Sequence, residues 1–291
     1  MTGTPETGYW TGGIIYTPAV GPAIDLELGA TDANGTNWML LAFDGLDGVD
    51  VAGQVVQRAG DHGAYAPPQY YAARNITLTV QASALSQALR DVARATMQQA
   101  VPVSDLALFR FDEPIPKQMY VRRSGRLTET YQNNVEATFT VGLVAPDPRK
   151  YSTVLHQAVV NQGAAAAGLA PPWTPPITLP AGAPPMALSA SNAGSFETRP
   201  TVVVQGPVIA PQIVNVTTGQ TVSYTSLTLG ATDQLVVDFN SRTATFNGAF
   251  RPADLSSAWW VMPQASTTTV QLYGTASPGA SMTVQWRDAW I

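Results

Sequence analysis

Residues 133–151, which read NNVEATFTVGLVAPDPRKY, decide the fold of the chain's first half. Five apolar side chains alternate there with polar or small ones: Val135, Ala137, Phe139, Val141 and Leu143. A period of two is typical of a β-strand with one buried face. Pro146 and Pro148 then bracket Asp147, and a proline both removes a ladder donor and moves the preceding residue out of helical conformation. The stretch therefore predicts a strand that ends at these prolines.

The composition changes beyond this stretch. Residues 163–185 are mostly Ala, Gly and Pro and carry no charge, which is typical of a linker. A chain of 291 residues is long enough for two domains that each bury a core. We therefore predict a first domain at residues 1–160, a linker at 161–195 and a second domain at 196–291.

The overall composition excludes several classes of protein. Apolar residues make up 45% of the chain and charged residues 12%, but no apolar run approaches the roughly 18 residues that a membrane helix needs. The opening MTGTPETGYW lacks the basic region and apolar stretch of a secretion signal. Because the chain contains no cysteine, disulfides and thiolate metal sites are excluded. We expect no membrane insertion by this chain and a fold held by packing alone.

The first domain is predicted to be mainly β with one packed helix. Residues 83–99 form the helix, because apolar residues recur there at helical spacing, Ser83 is a suitable cap and Pro102 follows. The apolar stripe of this helix needs a sheet to cover. Four predicted strands supply that sheet: residues 75–82, 105–111, 118–127 and 134–144.

The second domain is predicted to be an antiparallel β-sandwich. Its sequence contains short alternating or apolar runs with turn residues between them: residues 201–205, 212–216, 221–229, 234–240, 243–246, 267–273 and 281–286. No segment between these runs has the pattern of a helix that could connect parallel strands.

Acidic residues concentrate at the start of the chain. Residues 1–61 contain eight of them, against Arg58 as the single base, and such a surface repels nucleic-acid phosphates. Asp44, Asp47 and Asp50 lie three apart in DGLDGVD. Two Asp-Gly turns explain this spacing better than a calcium loop, in which ligands occupy alternate positions. We predict no metal site here.

One segment has the opposite charge. Residues 117–126, KQMYVRRSGR, contain four cations and no acid. A nucleic-acid patch is one interpretation, but a charged hairpin at a sheet edge explains the pattern more simply. Arg122, Arg123 and Arg126 are therefore candidates for an interface hairpin.

The sequence indicates no catalytic site. Its two histidines, His62 and His156, lie far apart, and the motifs of hydrolases, zinc proteases and phosphate-binding loops are absent. We predict no enzyme, no catalytic residue and no cofactor. Sugar binding is the alternative, because the faces of Trp259 and Trp260 suit the apolar side of a pyranose. Alternation along a strand would place at least one of this pair in the core.

Several motifs, in order, resemble the distal tail proteins of siphoviruses, especially minor tail proteins of phages of actinobacteria. In the second half they are NAGSFETRPTVVVQGPVIAPQIVNVTTGQTVSY, LVVDFNSRTATFNG, SSAWW and VQWRDAWI, and in the first half YYAARNITLTVQA and FTVGLVAPDPRKYS. The resemblance spans nearly the whole chain, and none of these motifs is a catalytic signature.

The resemblance implies a structural hub at the virion tail tip, assembled in the host cytoplasm. It implies a split-barrel-like first domain that forms a ring, commonly a hexamer, around a channel, and a galectin-like jelly roll as the second. The implied partners are the tail tube, tape-measure and tip or fibre proteins, with DNA only in transit. Under this reading Asp44, Asp47 and Asp50 line the channel, where repulsion of phosphates lets a genome pass.

Overall fold

The structure of the protein is a computed structural model that describes residues 11–163 and 186–291. The chain divides into two compact units, one ending at Thr153 and the other spanning Val154–Trp290. Both are built almost entirely from antiparallel strands, which confirms the prediction of a mainly β protein.

The described part of the first unit contains one helix, α1 (Gln87–Ala100), and thirteen strands. The longer strands are β1 (Gly12–Tyr16), β2 (Ile24–Leu28), β3 (Asn37–Asp44), β8 (Arg74–Ser83), β9 (Ala107–Phe111), β10 (Lys117–Arg123), β11 (Thr128–Tyr131), β12 (Glu136–Ala145) and β13 (Lys150–Ser152). The short strands are β4 (Val51–Ala52), β5 (Val56–Gln57), β6 (Ala64–Tyr65) and β7 (Tyr70–Tyr71).

Strand β12, which lies within residues 133–151, is central to the first unit's sheet. Seven strands follow the order β2-β1-β9-β10-β12-β8-β3. β12 pairs with β8 along its whole length, from Glu136 opposite Ser83 to Ala145 opposite Arg74. Its other edge pairs with β11 and with the end of β10. The predicted alternation is confirmed, because the side chains of Ala137, Phe139, Val141 and Leu143 are all buried.

The core of the first unit lies between this sheet and α1. Phe139 is fully buried, and its ring centroid lies 6.3 Å from that of Trp38. Phe109 and Phe111 on β9 have ring centroids 5.6 Å apart. Met97 adds the buried face of α1 to the same cluster. Burial of large aromatic side chains is the main source of stability in such a core.

The helix begins later than its periodicity predicts. Ser86 is the N-cap, and its hydroxyl accepts a hydrogen bond from the backbone N of Leu89 at 3.3 Å. Ser83, the predicted cap, is still the last residue of β8. Leu85 therefore precedes the helix and is 78% exposed. The prediction that Ser83 caps the helix was wrong, because Ser83 pairs with Glu136 of β12 as the last residue of β8.

The segment after β12 returns to the sheet. The carboxylate of Asp147 accepts hydrogen bonds from the backbone N of Arg149 at 3.2 Å and from the Tyr151 hydroxyl at 2.7 Å. These bonds fold the proline-flanked turn back, and β13 pairs with β10. The turn therefore connects two strands of one sheet.

The described part of the second unit contains twelve strands. They are β14 (His156–Asn161), β15 (Met186–Asn192), β16 (Thr201–Gln205), β17 (Val208–Asn215), β18 (Thr221–Ser223), β19 (Thr228–Leu229), β20 (Gln234–Asp238), β21 (Thr243–Phe246), β22 (Ala249–Phe250), β23 (Ser266–Ala276), β24 (Ser281–Trp286) and β25 (Ala289–Trp290).

Two antiparallel sheets form the second unit. One follows the order β14-β24-β16-β20-β21-β22, and the other follows β15-β23-β17-β18 with β19 beside β17. Val202 and Leu235 from the first sheet share one core cluster with Ile213 and Val270 from the second. Two sheets that bury their inner faces against each other are a β-sandwich, which confirms that prediction.

The boundary between the two units differs from the domain boundaries predicted from composition. Residues 156–161 pair with β24 and residues 186–192 pair with β23, so both segments are strands of the second unit. The sequence placed the first in the first domain, apart from its last residue, and the second in the linker. Most of the predicted linker, residues 164–185, lies outside the described residues.

Candidate functional site

The predicted channel residues lie on the loop that follows β3. Asp44, Asp47 and Asp50 are all exposed. The backbone of the loop determines this arrangement. Carbonyl oxygens of the loop point inward and accept hydrogen bonds from one buried cation. The carboxylates are thereby left on the solvent side.

That buried cation is Arg74, the first residue of β8, which is 1% exposed. Its Nη1 donates to the carbonyl oxygens of Gly45 and Leu46, both at 3.0 Å, and of Gly48 at 3.2 Å. Its Nε donates to the Pro148 carbonyl oxygen at 3.1 Å. A single guanidinium thus joins the acidic loop to the turn after β12.

Burial lowers the pKa of the Arg74 guanidinium, and attraction to Glu113 and then Asp47 opposes that shift. An arginine stays protonated under these conditions because its ordinary pKa is so high. The group is therefore a permanent buried charge, stabilised mainly by carbonyl dipoles. Such a charge is costly unless it is well hydrogen-bonded.

Gly45 is required by this wrapping. It has a φ of 85°, and a Cβ built there would lie 1.9 Å from the carbonyl oxygen of Asn75. Only glycine combines a left-handed backbone with such a close approach. The Asp-Gly pattern at residues 44–45 therefore has a conformational cause.

Residues 50–72 form an arm with little core of its own. β4 pairs with β7 and β5 pairs with β6, and the backbone N of Ala72 donates to the Asp50 carbonyl oxygen at 2.8 Å. Five large apolar side chains on the arm are more than half exposed: Val51, Val55, Val56, Tyr65 and Tyr70. Clusters of exposed apolar residues mark interaction surfaces in soluble proteins.

The cationic segment is not a hairpin. Both β10 and β11 pair with β12, at Val144 and Leu143 for β10 and at residues 137–140 for β11. The chain between them bends at Gly125, which has a φ of 79°. Arg122 and Arg126 are exposed, and Arg123 is half-buried. The charge pattern suggested a hairpin, but β10 and β11 pair with successive parts of β12 and therefore lie end to end.

The tryptophan pair occupies two environments. Trp260 is 2% exposed and packs on Phe239, with ring centroids 4.2 Å apart. Trp259 is half-buried and lines a cleft at the edge of the six-stranded sheet. Of the predicted sugar platform, only Trp259 reaches a surface that a ligand could enter.

The histidines lie in different units. His62 is exposed in the turn of the arm between β5 and β6. His156 stacks on Trp286 with ring centroids 5.6 Å apart, and its Nε2 lies 3.3 Å from the Asp288 carboxylate. The described residues contain no cluster of three His, Cys, Asp or Glu side chains arranged to hold a metal. In the same ranges no helix is long and apolar enough to span a membrane.

Arg74 and the arm were missed as functional features by sequence reasoning. A signal for Arg74 did exist, because it shares the parity of Ile76, Leu78 and Val80 on β8 and so lies on the buried face. The arm gave no such signal, because its strands have two residues each and a period of two cannot be seen in two residues.

Comparison with known proteins supports a tail protein. Residues 193–290 match the family described as siphovirus-type tail component, C-terminal domain. No protein of curated function matches the sequence.

Solved phage structures share the fold of nearly the whole chain. The Dit protein of phage SPP1 is described as a paradigm of the hub adsorption apparatus in phages that infect Gram-positive bacteria. It is 16% identical to this chain, with a TM-score of 0.58 over 87% of this chain and 94% of that chain. A chain of the phage p2 baseplate, activated with Sr, is 10% identical, with a TM-score of 0.56 over 96% and 98%.

The family match and the shared fold confirm the resemblance of this chain to siphovirus distal tail proteins. The family match covers residues 193–290, which lie in the second unit.

Proposed function

We propose that this chain is a distal tail hub protein whose first unit assembles into a ring at the tail tip. The ring joins the tail tube to tape-measure and tip or fibre proteins, surrounds a channel for DNA and is assembled in the host cytoplasm. The match of the second unit to a tail component family and the shared fold with phage hub proteins support this role. The basic segment with Arg122, Arg123 and Arg126 is a second candidate contact.

The arm is the observation that carries the ring proposal. Tyr70 is 73% exposed, Tyr65 61% and Val56 57%, although side chains of this kind favour burial by about 1.5–3 kcal/mol each. Among the described residues, the arm strands pair only with each other. A different surface of a neighbouring copy can bury these side chains, and the same head-to-tail contact repeated from copy to copy closes a ring.

Assembly provides the test. We expect the wild-type chain, alone or mixed with tail-tube protein at micromolar concentration, to form a ring-sized oligomer in light scattering. The triple variant Val56→Ser, Tyr65→Ser, Tyr70→Ser is expected to remain monomeric, because about 1–3 kcal/mol is lost for each side chain at every contact.

The matched control removes exposed apolar residues of the same unit outside the arm, with Val20→Ser and Ile115→Ser, which are 92% and 52% exposed. This control is expected to assemble like the wild type. A wild-type chain that stays monomeric even with tail-tube protein would count against the ring. A triple variant that assembles normally would exclude the arm as the contact.

The acidic loop is proposed to line the channel. We expect tails carrying Asp44→Lys, Asp47→Lys and Asp50→Lys to release DNA several-fold more slowly at low salt, because three cations per subunit attract phosphates. The delay should shrink as ionic strength rises. Release is measured by dye fluorescence, with Asp91→Lys on α1 as the control. An image of assembled tails in which all three carboxylates point away from the axis would contradict the assignment.

A further inference from the structure

The second unit contains a cleft that the hub role does not use. It has a volume of about 270 Å³ and lies between β21, β22 and the segment 251–259. Six of its lining residues matter here: Arg242, Phe250, Arg251, Asp254, Leu255 and Trp259. We call it the Trp259 cleft. Its volume approaches the lower end of the range for small-molecule sites.

One wall of the Trp259 cleft is held rigidly. The backbone N of Asp254 donates to the Ser223 carbonyl oxygen at 2.9 Å. The Asp254 carboxylate accepts two hydrogen bonds from Thr225, from its backbone N and its hydroxyl, both at 2.8 Å. The backbone N of Arg251 donates to the Ala244 carbonyl oxygen, also at 2.8 Å. A preformed wall lowers the entropy cost of binding a ligand.

The cleft offers an aromatic surface. Trp259 is half-buried, and its ring meets that of Phe239 edge-on, with centroids 5.4 Å apart and an interplanar angle of 76°. Phe239 is fully buried, so it fixes the indole in place. Phe250 is 69% exposed and Leu255 is completely exposed. A fixed indole with apolar neighbours suits the C–H face of a sugar ring.

The cleft also concentrates positive charge. Residues 154–290 contain four arginines and no lysine, and two of those arginines, Arg242 and Arg251, line this one cleft. Arg242 is exposed, and its side chain has no hydrogen bond or ion pair to the described residues. Two guanidinium groups and one carboxylate, that of Asp254, line this cleft, so its lining carries a net positive charge.

The Arg251 guanidinium already makes one hydrogen bond within the protein. Its Nη2 donates to the Ser226 hydroxyl at 3.0 Å, while its Nε is enclosed by protein atoms without an acceptor in the described part of the chain. The enclosed Nε is out of reach of a ligand, so an anionic oxygen in the cleft would accept from the terminal nitrogens of this guanidinium.

We propose that the Trp259 cleft binds a pyranose that carries an anionic substituent, either a carboxylate or a phosphate. The sugar ring stacks on Trp259, and the anionic group lies toward Arg242 and Arg251. Aromatic stacking supplies apolar contact without a formal charge, and guanidinium groups match carboxylate and phosphate geometry. This proposal is independent of ring formation.

The test is a titration of the full chain, followed by NMR or calorimetry, with four probes: glucuronate, glucose 6-phosphate, glucose and inorganic phosphate. One stacked face and one charge-assisted contact predict dissociation constants in about the millimolar range. We expect at least one acidic sugar to bind about tenfold more tightly than glucose and than inorganic phosphate. Which acidic sugar binds distinguishes a carboxylate from a phosphate.

Two variants and two controls locate the binding. Arg242→Gln leaves the core untouched. It should weaken binding of the acidic sugar about tenfold and leave binding of glucose unchanged. Trp259→Ala should weaken both the acidic sugar and glucose. Arg126→Gln in the first unit and Tyr273→Ala, an exposed aromatic of the second, should change neither.

Several results would overturn the proposal. They are no binding of either acidic sugar up to about 10 mM, equal affinity for glucose and the acidic sugars, equal affinity for inorganic phosphate, and an Arg242→Gln variant that binds like the wild type. Because Arg242 is exposed, loss of folding cannot explain its effect, so the result remains decisive if Trp259→Ala unfolds. Light scattering of the same samples reports assembly separately.

Discussion

Replacing Arg74 with methionine is expected to lower the free energy of unfolding of the first unit by about 3–5 kcal/mol. The substitution keeps an apolar side chain of similar length but removes the donors to four carbonyl oxygens. A carbonyl that stays unsatisfied out of water costs about 1–3 kcal/mol, and the expected total is smaller than four such costs because part of this loop, including Gly48, is exposed to solvent. The loss is measured as the shift of the first unit's transition in urea.

Lysine at the same position separates charge from geometry. An ammonium group is a point charge with three donors and cannot reproduce the planar fork of a guanidinium. We expect Arg74→Lys to recover only part of the loss, and hydrogen exchange to accelerate across residues 44–50. Arg126→Gln, at an exposed arginine, should change stability by less than about 0.5 kcal/mol. A loss below about 1 kcal/mol for Arg74→Met would show that the loop holds without this cation.

Replacing Phe139 with aspartate is expected to unfold the first unit completely. Removing a buried phenylalanine costs about 3–5 kcal/mol, and an unpaired carboxylate in its place costs several kcal/mol more. The sum is comparable to the whole stability of an ordinary domain, about 5–15 kcal/mol. Phe139 is fully buried in the middle of β12, so the charge cannot reach water without opening the sheet.

Calorimetry of the full chain checks this result. We expect the first unit's transition to disappear and the second unit's transition to remain, because the second unit has its own core cluster. Thr128→Asp places the same charge at an exposed position on β11, the neighbouring strand, and should leave both transitions in place. Loss of both transitions in Phe139→Asp would mean that the two units do not fold independently.

Much of this fold could be predicted from local pattern. The alternation in residues 136–145 gave the buried face of β12, and residues 201–205, 243–246 and 281–286 were predicted with their observed bounds. Such runs succeed because a strand with one face in a core must alternate. The helix was predicted in type but not in start, because the competing claim of β8 on Ser83 depends on a distant partner strand.

The candidate site was harder to predict than the fold. Composition indicated the acidic residues at 44, 47 and 50 but gave no reason for their exposure, which comes from carbonyl oxygens turned toward Arg74. Trp259 and Trp260 looked equivalent in sequence, and both rings contact Phe239. Only their burial in the folded unit separates them, because Trp260 is buried and Trp259 lines a cleft. The arginines at 242 and 251 were not grouped, since the turn that brings them together involves β21 and β22.

The sequence by itself determined the strand predicted at residues 134–144 and observed at 136–145, the mainly β character of both units and the resemblance to siphovirus tail proteins, since these depend on local periodicity and ordered motifs. The tertiary structure decided which strands belong to which unit, what Arg74 holds and which aromatic side chains reach solvent. β14 shows the reason, because its partner β24 lies more than a hundred residues away. Strand pairing over that distance depends on the packing of the whole sandwich, and local sequence patterns contain no information about that packing.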